Sequence, residues 1–303
     1  MAISVYNPPM NRRTFLESSV AAGVLASLPI KTFAATHRIE KVGVQLYTVR
    51  DAMKADFDGT LGKVAKIGFK EVEFAGYFNH SPKDVRASLD KVGLSAPSAH
   101  FGPDIIQNHL AETLEAAHVI GHQFIVCPWI EESDRKAPGG YKRVADTFNK
   151  AGEACKKAGI QFAYHNHNFE FYPAPTLNGQ TPYDFLLTST DPNNVKMEMD
   201  LCWITVGGQD PVKYFQSHPG RFPLVHVKDI SKIPDAAAKS GPLSMEDIEK
   251  TMTAVGSGAI DWKRIFSHAD EGGIKHYFVE NDVPKDPFAN IADSYKYLSQ
   301  LQF

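Results

Sequence analysis

The sequence predicts a (β/α)8 barrel. Two observations carry that prediction: a recurring helix–glycine–strand phrase, and eight short apolar runs at near-even spacing. The phrase reads Val64-Ala-Lys-Ile-Gly68 before Phe69–Phe74, Leu89-Asp-Lys-Val-Gly93 before Leu94, Ala117-His-Val-Ile-Gly121 before Phe124, and Cys155-Lys-Lys-Ala-Gly159 before Ile160. A late copy has Gly272-Gly273 before Tyr277. Glycine adopts the left-handed conformation cheaply, so at a helix end it stops the helix and turns the chain back to a strand. Ser81-Pro82, Asp210-Pro211 and Asp286-Pro287 mark helix starts: a side-chain oxygen caps the free N–H groups, and proline fits the first helical position.

The strand candidates are Val42–Leu46, Glu71–Phe74, Ser95–Ala99, Phe124–Cys127, Ile160–His165, Lys196–Asp200, Leu224–Lys228 and Tyr277–Glu280. Most are apolar and β-branched or aromatic, as strands buried on both faces require. They recur every roughly 25–35 residues, except before the last, where an insertion around Ile230–Gly256 intervenes. A doubly wound open sheet is the alternative, but no GxGxxG follows the first strand.

Ahead of the first strand, Asn11-Arg12-Arg13-Thr14-Phe15-Leu16 precedes an uncharged apolar run from Val20 to Pro29, and then Lys31-Thr32-Phe33-Ala34. The run is too short to span a bilayer, which takes about 20 apolar residues. A charged start, a short apolar centre and small residues at a cleavage point read as a signal peptide over residues 1–34, and the paired arginines resemble a twin-arginine (Tat) export signal. The expected domain is then residues 35–303, exported to the periplasm without stable membrane insertion. The chain has 303 residues with 32 basic and 35 acidic side chains. Three of the basic residues and one acidic residue precede position 35, so the remainder carries a net −5. Such a balance disfavours a nucleic-acid partner. Cys127, Cys155 and Cys202 form no CxxC pair and read as three buried thiols.

A barrel builds its active site at the C-terminal ends of its strands. Polar residues fall there in this chain: Gln45, with Tyr47 and Arg50 beyond it, then Glu73 and His100. The fifth strand runs into Tyr164-His165-Asn166-His167-Asn168-Phe169-Glu170, and the sixth reads Glu198-Met199-Asp200-Leu201-Cys202-Trp203. The seventh reads His226-Val227-Lys228-Asp229, and the eighth ends in Glu280-Asn281-Asp282. Strands five to eight are consecutive neighbours, so His165, Asp200, His226 and Glu280 are expected to ring one point. Two imidazoles and two carboxylates form a site for one divalent metal ion, and mixed N/O ligands suit Mn, Zn, Co or Fe better than Mg or Ca.

Taken in this order, the segments Gly43-Val-Gln-Leu-Tyr-Thr-Val-Arg50, Tyr164-His-Asn-His167, Met199-Asp-Leu-Cys-Trp203, His226-Val-Lys-Asp229 and Phe278-Val-Glu-Asn-Asp282 resemble those of the xylose isomerase-like TIM barrels. That family comprises sugar phosphate isomerases/epimerases, inosose dehydratases and, more distantly, apurinic-site endonucleases. The resemblance covers about residues 40–303. It implies a metal held by a Glu after the fifth strand, an Asp after the sixth, a His after the seventh and a Glu after the eighth. The last three fall on Asp200, His226 and Glu280. The first departs, because His165-Asn166-His167 stands where relatives read Glu-Asn-His. Glu170 is the nearby carboxylate that could replace it.

The chemistry this implies is proton abstraction α to a carbonyl of a sugar or keto-sugar, with the metal as Lewis acid. Glu280 is the expected base, with His165, His167 or His100 as its partner. Lys228 either stabilises a developing oxyanion or pairs with Asp229 or Glu198. Trp203, Tyr47 and Phe74 offer an apolar wall, with Gln45, Glu73, His100, Glu170, Asp229 and Asp282 as further substrate contacts. Gly256-Ser257-Gly258 could cup a phosphate. Isomerase or epimerase chemistry is the first expectation. A lyase acting on a keto-sugar, keto-inositol or 3-keto-glycoside is the alternative, and a non-catalytic sugar-binding barrel the second. A homo-oligomer is left open.

Overall fold

A computed structural model describes residues 37–235 and 241–303. The segment read as a signal peptide, residues 1–34, lies outside these. Eight parallel strands close into a barrel in sequential order: β1 Val42–Gln45, β2 Glu71–Ala75, β3 Ser95–His100, β4 Phe124–Cys127, β5 Gln161–His165, β6 Val195–Asp200, β7 Leu224–Val227 and β8 His276–Val279. β1 closes the ring, with Val44 opposite Val72 of β2 on one side and Val279 of β8 on the other.

Each strand candidate falls on one of these strands, and the differences at the ends have local causes. β1 stops at Gln45, one residue early, because the Gln45 side chain accepts the Tyr47 N–H and caps a single helical turn over Leu46–Val49. β7 stops at Val227, after which Asp229–Ile230 pairs antiparallel with Met252–Thr253. The expected insertion thus begins with a two-stranded hairpin outside the barrel. The glycine punctuation acts as expected at Gly93 and Gly121, which end the helices Pro82–Val92 and Leu110–Ile120 with φ of 71° and 92°. Caps hold the starts: Ser81 accepts from Asp84 N, and Asp286 from Ala289 N.

Side chains alternate across each strand, so one face lines the barrel and the other meets the helices. Phe124, Val126, Ala163, Leu224 and Phe278 fill the barrel interior as a packed plug. Below the plug, at the N-terminal end, His276 Nδ1 lies 2.7 Å from Glu71 Oε2. Burying a side chain such as Phe278 stabilises the fold by about 2 kcal/mol. The outward faces of the strands join the helices in the larger core. Phe74, expected to line the site, belongs to that core: it neighbours Glu73, so it points the other way and stacks on Phe57 at 6.2 Å. All three cysteines are buried free thiols. No described helix is long and apolar enough to cross a membrane.

Candidate active site

Above the plug the barrel interior changes character within one strand step. Glu73, Glu198, Asp200 and His226 are wholly buried, with His165, Lys228 and Glu280 nearly so. Glu73 comes from β2, His100 from β3, His165 from β5, Glu198 and Asp200 from β6, and His226 from β7. Glu198 and Asp200 are two residues apart on one strand, so both face inward, one layer above the other.

The deeper layer is a knot of imidazoles and carboxylates. Glu198 Oε2 lies 2.6 Å from His100 Nε2, 3.2 Å from His165 Nδ1 and 3.2 Å from His226 Nε2. Glu73 Oε2 lies 2.6 Å from His226 Nε2 and 3.1 Å from His100 Nε2, and also accepts from Gln45 Nε2 at 2.7 Å. The upper layer centres on Lys228. Its Nζ lies 2.7 Å from Glu280 Oε2, 2.9 Å from Asp282 Oδ2 and 3.3 Å from Asp200 Oδ2. Lys228 thus pairs with these three carboxylates rather than with Asp229 or Glu198. Asp200 Oδ1 caps the following helix by accepting from Cys202 N and Trp203 N. His226 joins the layers, with Nδ1 2.8 Å from Glu280 Oε2 and Nε2 directed at Glu73 and Glu198.

Protonation follows from this crowding. Burial disfavours a charged His100, yet Glu73 and Glu198 outweigh it and raise His100 to about 9. Burial is likewise overcome at His226, raised well above its usual range by Glu198, Glu280 and Glu73. At Glu280 burial pushes upward, but Lys228 and His226 hold the carboxyl far below the usual range. Asp282 rises to about 6, because burial and the Glu280 charge exceed the pull of Lys228. His165 and His167 go the other way: burial, then neighbouring imidazoles and Lys228, depress both, His167 to about 3, so both imidazoles are neutral at pH 7.

Among the described residues several of these buried polar atoms lack a hydrogen-bond partner: Glu73 Oε1, Glu198 Oε1, Asp200 Oδ2, His167 Nδ1 and Trp203 Nε1. A buried carboxylate oxygen left unpaired is costly; Lys228 stands 3.3 Å from Asp200 Oδ2, but Glu73 Oε1 and Glu198 Oε1 call for a cation. The ligand atoms of His100, His165, Glu198 and His226 lie within 4.8 Å of one another, as do those of Asp200, His226 and Glu280. Both groups fit a divalent ion of mixed N/O preference. His165, expected beside Asp200, reaches it only at 3.9 Å and turns its Nδ1 toward Glu198.

Two residues expected around the site are engaged elsewhere. Glu170 is buried, with one oxygen bonded to the Tyr164 hydroxyl and the other accepting from His167 N at 2.9 Å, so it shapes the turn after β5. Asp229 accepts five N–H donors: Ile230, Gly256, Gly258 and Ile260 from the backbone, and the Trp262 indole. The same bonds answer the phosphate cup, since Gly256 and Gly258 direct their N–H groups at Asp229. Trp203 is wholly buried beneath Lys228, whose Nζ sits 5.6 Å from its ring centre. Tyr47 is the exposed aromatic at the rim, with the Arg50 guanidinium 4.1 Å above its ring. Glu198 was not singled out as a site residue in the sequence. Its signal was the Glu198/Asp200 alternation on a strand with an inward-facing end.

A closed parallel barrel with a polar, titratable cluster at its C-terminal mouth defines a TIM-barrel enzyme. The chain belongs to the xylose isomerase-like TIM barrel family, whose model matches residues 61–301. It is similar to the inosose dehydratase of Lacticaseibacillus casei, 25% identical over 272 residues, with 80% of this chain and 88% of that protein covered. Among solved structures it is similar to a sugar phosphate isomerase/epimerase from Parabacteroides distasonis, at 27% identity and a TM-score of 0.71, covering 88% of this chain and 96% of that one. It shares the fold of the IolI protein solved with a bound zinc atom, at 16% identity and a TM-score of 0.65, covering 84% and 95%.

Proposed function

We propose that the protein is a metal-assisted lyase acting on a keto-sugar, keto-inositol or 3-keto-glycoside, which removes the proton α to the carbonyl and expels the oxygen substituent at the β carbon. The observation that carries this reading is the asymmetry of the bases. An epimerase that works with two carboxylates on opposite faces of one carbon needs a partner for Glu280, and at the end of β5 this chain has His165, buried and directed at Glu198. The similarity to inosose dehydratases supports the same reading.

His226, with one of the two donor groups that share it, would hold a divalent ion, which would supply Lewis acidity at the carbonyl. Glu280 takes the α proton. Lys228, 2.7 Å from Glu280, offers the fixed positive charge that offsets the negative charge left behind. The neutral His167, with Nδ1 free of protein partners among the described residues, positions the leaving oxygen. The proton taken by Glu280 passes to that oxygen as the C–O bond breaks, releasing water or an alcohol and leaving an unsaturated keto product. The buried plug and the Trp203 floor exclude water from below.

The test is incubation with a panel of keto-sugars and keto-inositols in deuterium oxide, read by NMR. Wild type is expected to give an unsaturated product and to lose the substrate's α proton. Glu280→Gln is expected to slow both by about 10²–10⁴-fold. Deuterium returned into an epimer or isomer, with no unsaturated product, would replace the lyase by the isomerase reading, which the similarity to the Parabacteroides distasonis protein favours. Bound ligand with no exchange would leave a sugar-binding barrel. We further propose that residues 1–34 direct export. Changing Arg12 and Arg13 to lysine should retain the protein in the cytoplasm, seen by fractionation.

A further inference from the structure

The two nitrogens of His226 face in different directions, so a single ion can use only one of them. Nδ1 faces Glu280 at 2.8 Å, and Nε2 faces Glu73 at 2.6 Å and Glu198 at 3.2 Å. The choice of side decides which residues are ligands and which are left for substrate.

The Nδ1 side already holds a cation. Lys228 Nζ lies 2.7 Å from Glu280 and 3.3 Å from Asp200, and Asp282 adds a third carboxylate at 2.9 Å. A divalent ion placed among Asp200, His226 and Glu280 would stand beside that ammonium in a low-dielectric interior, where like charges repel strongly. Asp200 also keeps one oxygen engaged by two backbone N–H groups.

Among the described residues, no lysine or arginine contacts the Nε2 side. Two imidazole nitrogens besides His226 converge on Glu198 Oε2, His100 at 2.6 Å and His165 at 3.2 Å. Both carboxylates of this layer, Glu198 and Glu73, are wholly buried and keep an oxygen without a partner among the described residues. The bond from His226 Nδ1 to Glu280 then becomes the outer contact that a metal-bound histidine ordinarily makes: a carboxylate fixes the tautomer and aims the other nitrogen at the ion. His100 is the ligand partly open to the mouth, with 11% of its side chain exposed, which leaves a path for a substrate oxygen to reach the ion.

The geometry points to a metal centre one layer deeper than the resemblance implies, with His100, His165, His226 and Glu198 as ligands and Lys228 as the cation among Asp200, Glu280 and Asp282. This rests on the metal-assisted reading above. It deepens that reading by making Glu280 a base outside the metal's ligand set, and Lys228 the group that meets the substrate's developing charge.

The full chain would be stripped with chelator, reloaded with zinc or cobalt(II), and measured in two ways. X-ray absorption of the zinc form counts imidazoles directly on the wild type. Three imidazoles are expected, and two or fewer would overturn the placement. Equilibrium titration with cobalt(II) then compares variants whose folding is checked by circular dichroism. Glu198→Gln is expected to weaken binding at least 100-fold, and His100→Asn at least tenfold. Asp200→Asn should stay within about fivefold of wild type. Loss of binding in Asp200→Asn with retention in Glu198→Gln would overturn the placement and leave the metal-assisted reading intact. A full chain that binds neither ion would overturn both.

Discussion

Two buried carboxylate regions of this barrel behave in opposite ways. Behind β7, Asp229 has both oxygens filled by five N–H donors from its own backbone and from Trp262. Inside the barrel, Glu73 and Glu198 are buried as deeply, yet each keeps an oxygen with no partner among the described residues. Burial alone therefore does not mark a functional acid. What separates the two is whether the protein completes the carboxylate's bonding itself. Asp229 is complete and holds the fold, whereas Glu73 and Glu198 are incomplete and wait for something from outside.

The largest effect that should sharpen this contrast is at Asp229. Asp229→Asn offers one acceptor oxygen and an NH2 group to a shell made only of donors, and leaving buried N–H groups unpaired costs about 1–3 kcal/mol each. A loss of more than about 3 kcal/mol is expected, a fall in thermal midpoint on the order of 10 °C at about 2–4 °C per kcal/mol. A midpoint within a few degrees of wild type would break the comparison.

Metal addition is the next effect in size. An ion that binds only the folded chain stabilises it by about 2.7 kcal/mol at a hundred times its dissociation constant. Calorimetry with and without zinc should show this increment in wild type and in Asp229→Asn alike, and lose it in Glu198→Gln. An increment that follows Asp229 instead would merge the two regions.

Smallest per step of pH, about 1.4 kcal/mol per unit, is the effect at Glu170, whose oxygens are both engaged like those of Asp229. Burial raises its carboxyl from 4.5 to about 8 in spite of the bonds from Tyr164 and His167. A folded-state value above the unfolded one means that the stabilisation is fully present below about 4.5 and is lost as pH rises through about 8. Relative to Glu170→Gln, wild type should thus lose ground between these limits, by roughly 3–5 °C in thermal midpoint per pH unit. A pH-independent gap would show that Glu170 is ionised in the folded protein.

The barrel was legible because its signals are local. Each glycine stop, each Ser-Pro or Asp-Pro start and each apolar run lies within a few residues of the structure it specifies. The ends of the strands were legible for the same reason, which is why Asp200, His226, Lys228 and Glu280 could be placed at one mouth. Partnerships across the fold were not. Nothing near Asp229 in the chain announces Trp262, and nothing near His165 announces that its ring turns to Glu198 rather than to Asp200. Glu170 looked like a spare ligand because its partner, Tyr164, sits on the outward face of β5 six residues back. Glu198 lies one step below the strand end, a depth that reading only the last residue of each strand misses.

The clasp at Asp229 has a consequence for how this barrel could vary. Its oxygens grip the chain at Ile230, where the excursion after β7 departs, and at Gly256, Gly258, Ile260 and Trp262, where it returns. With both feet fastened to one side chain, closing a longer or shorter excursion changes the chain entropy only slowly with its length. Length can thus change between Ser231 and Ser244, ahead of the buried Ile248 and of Met252–Thr253, while the barrel and its clasp stay as they are. Leu243, within that segment, accepts a hydrogen bond from Asn168 on the turn after β5, so a change of length there is felt at the rim of the mouth. The fold thereby joins a fixed chemical centre to an exchangeable margin, and lineages could diverge in what they admit without rebuilding how they react.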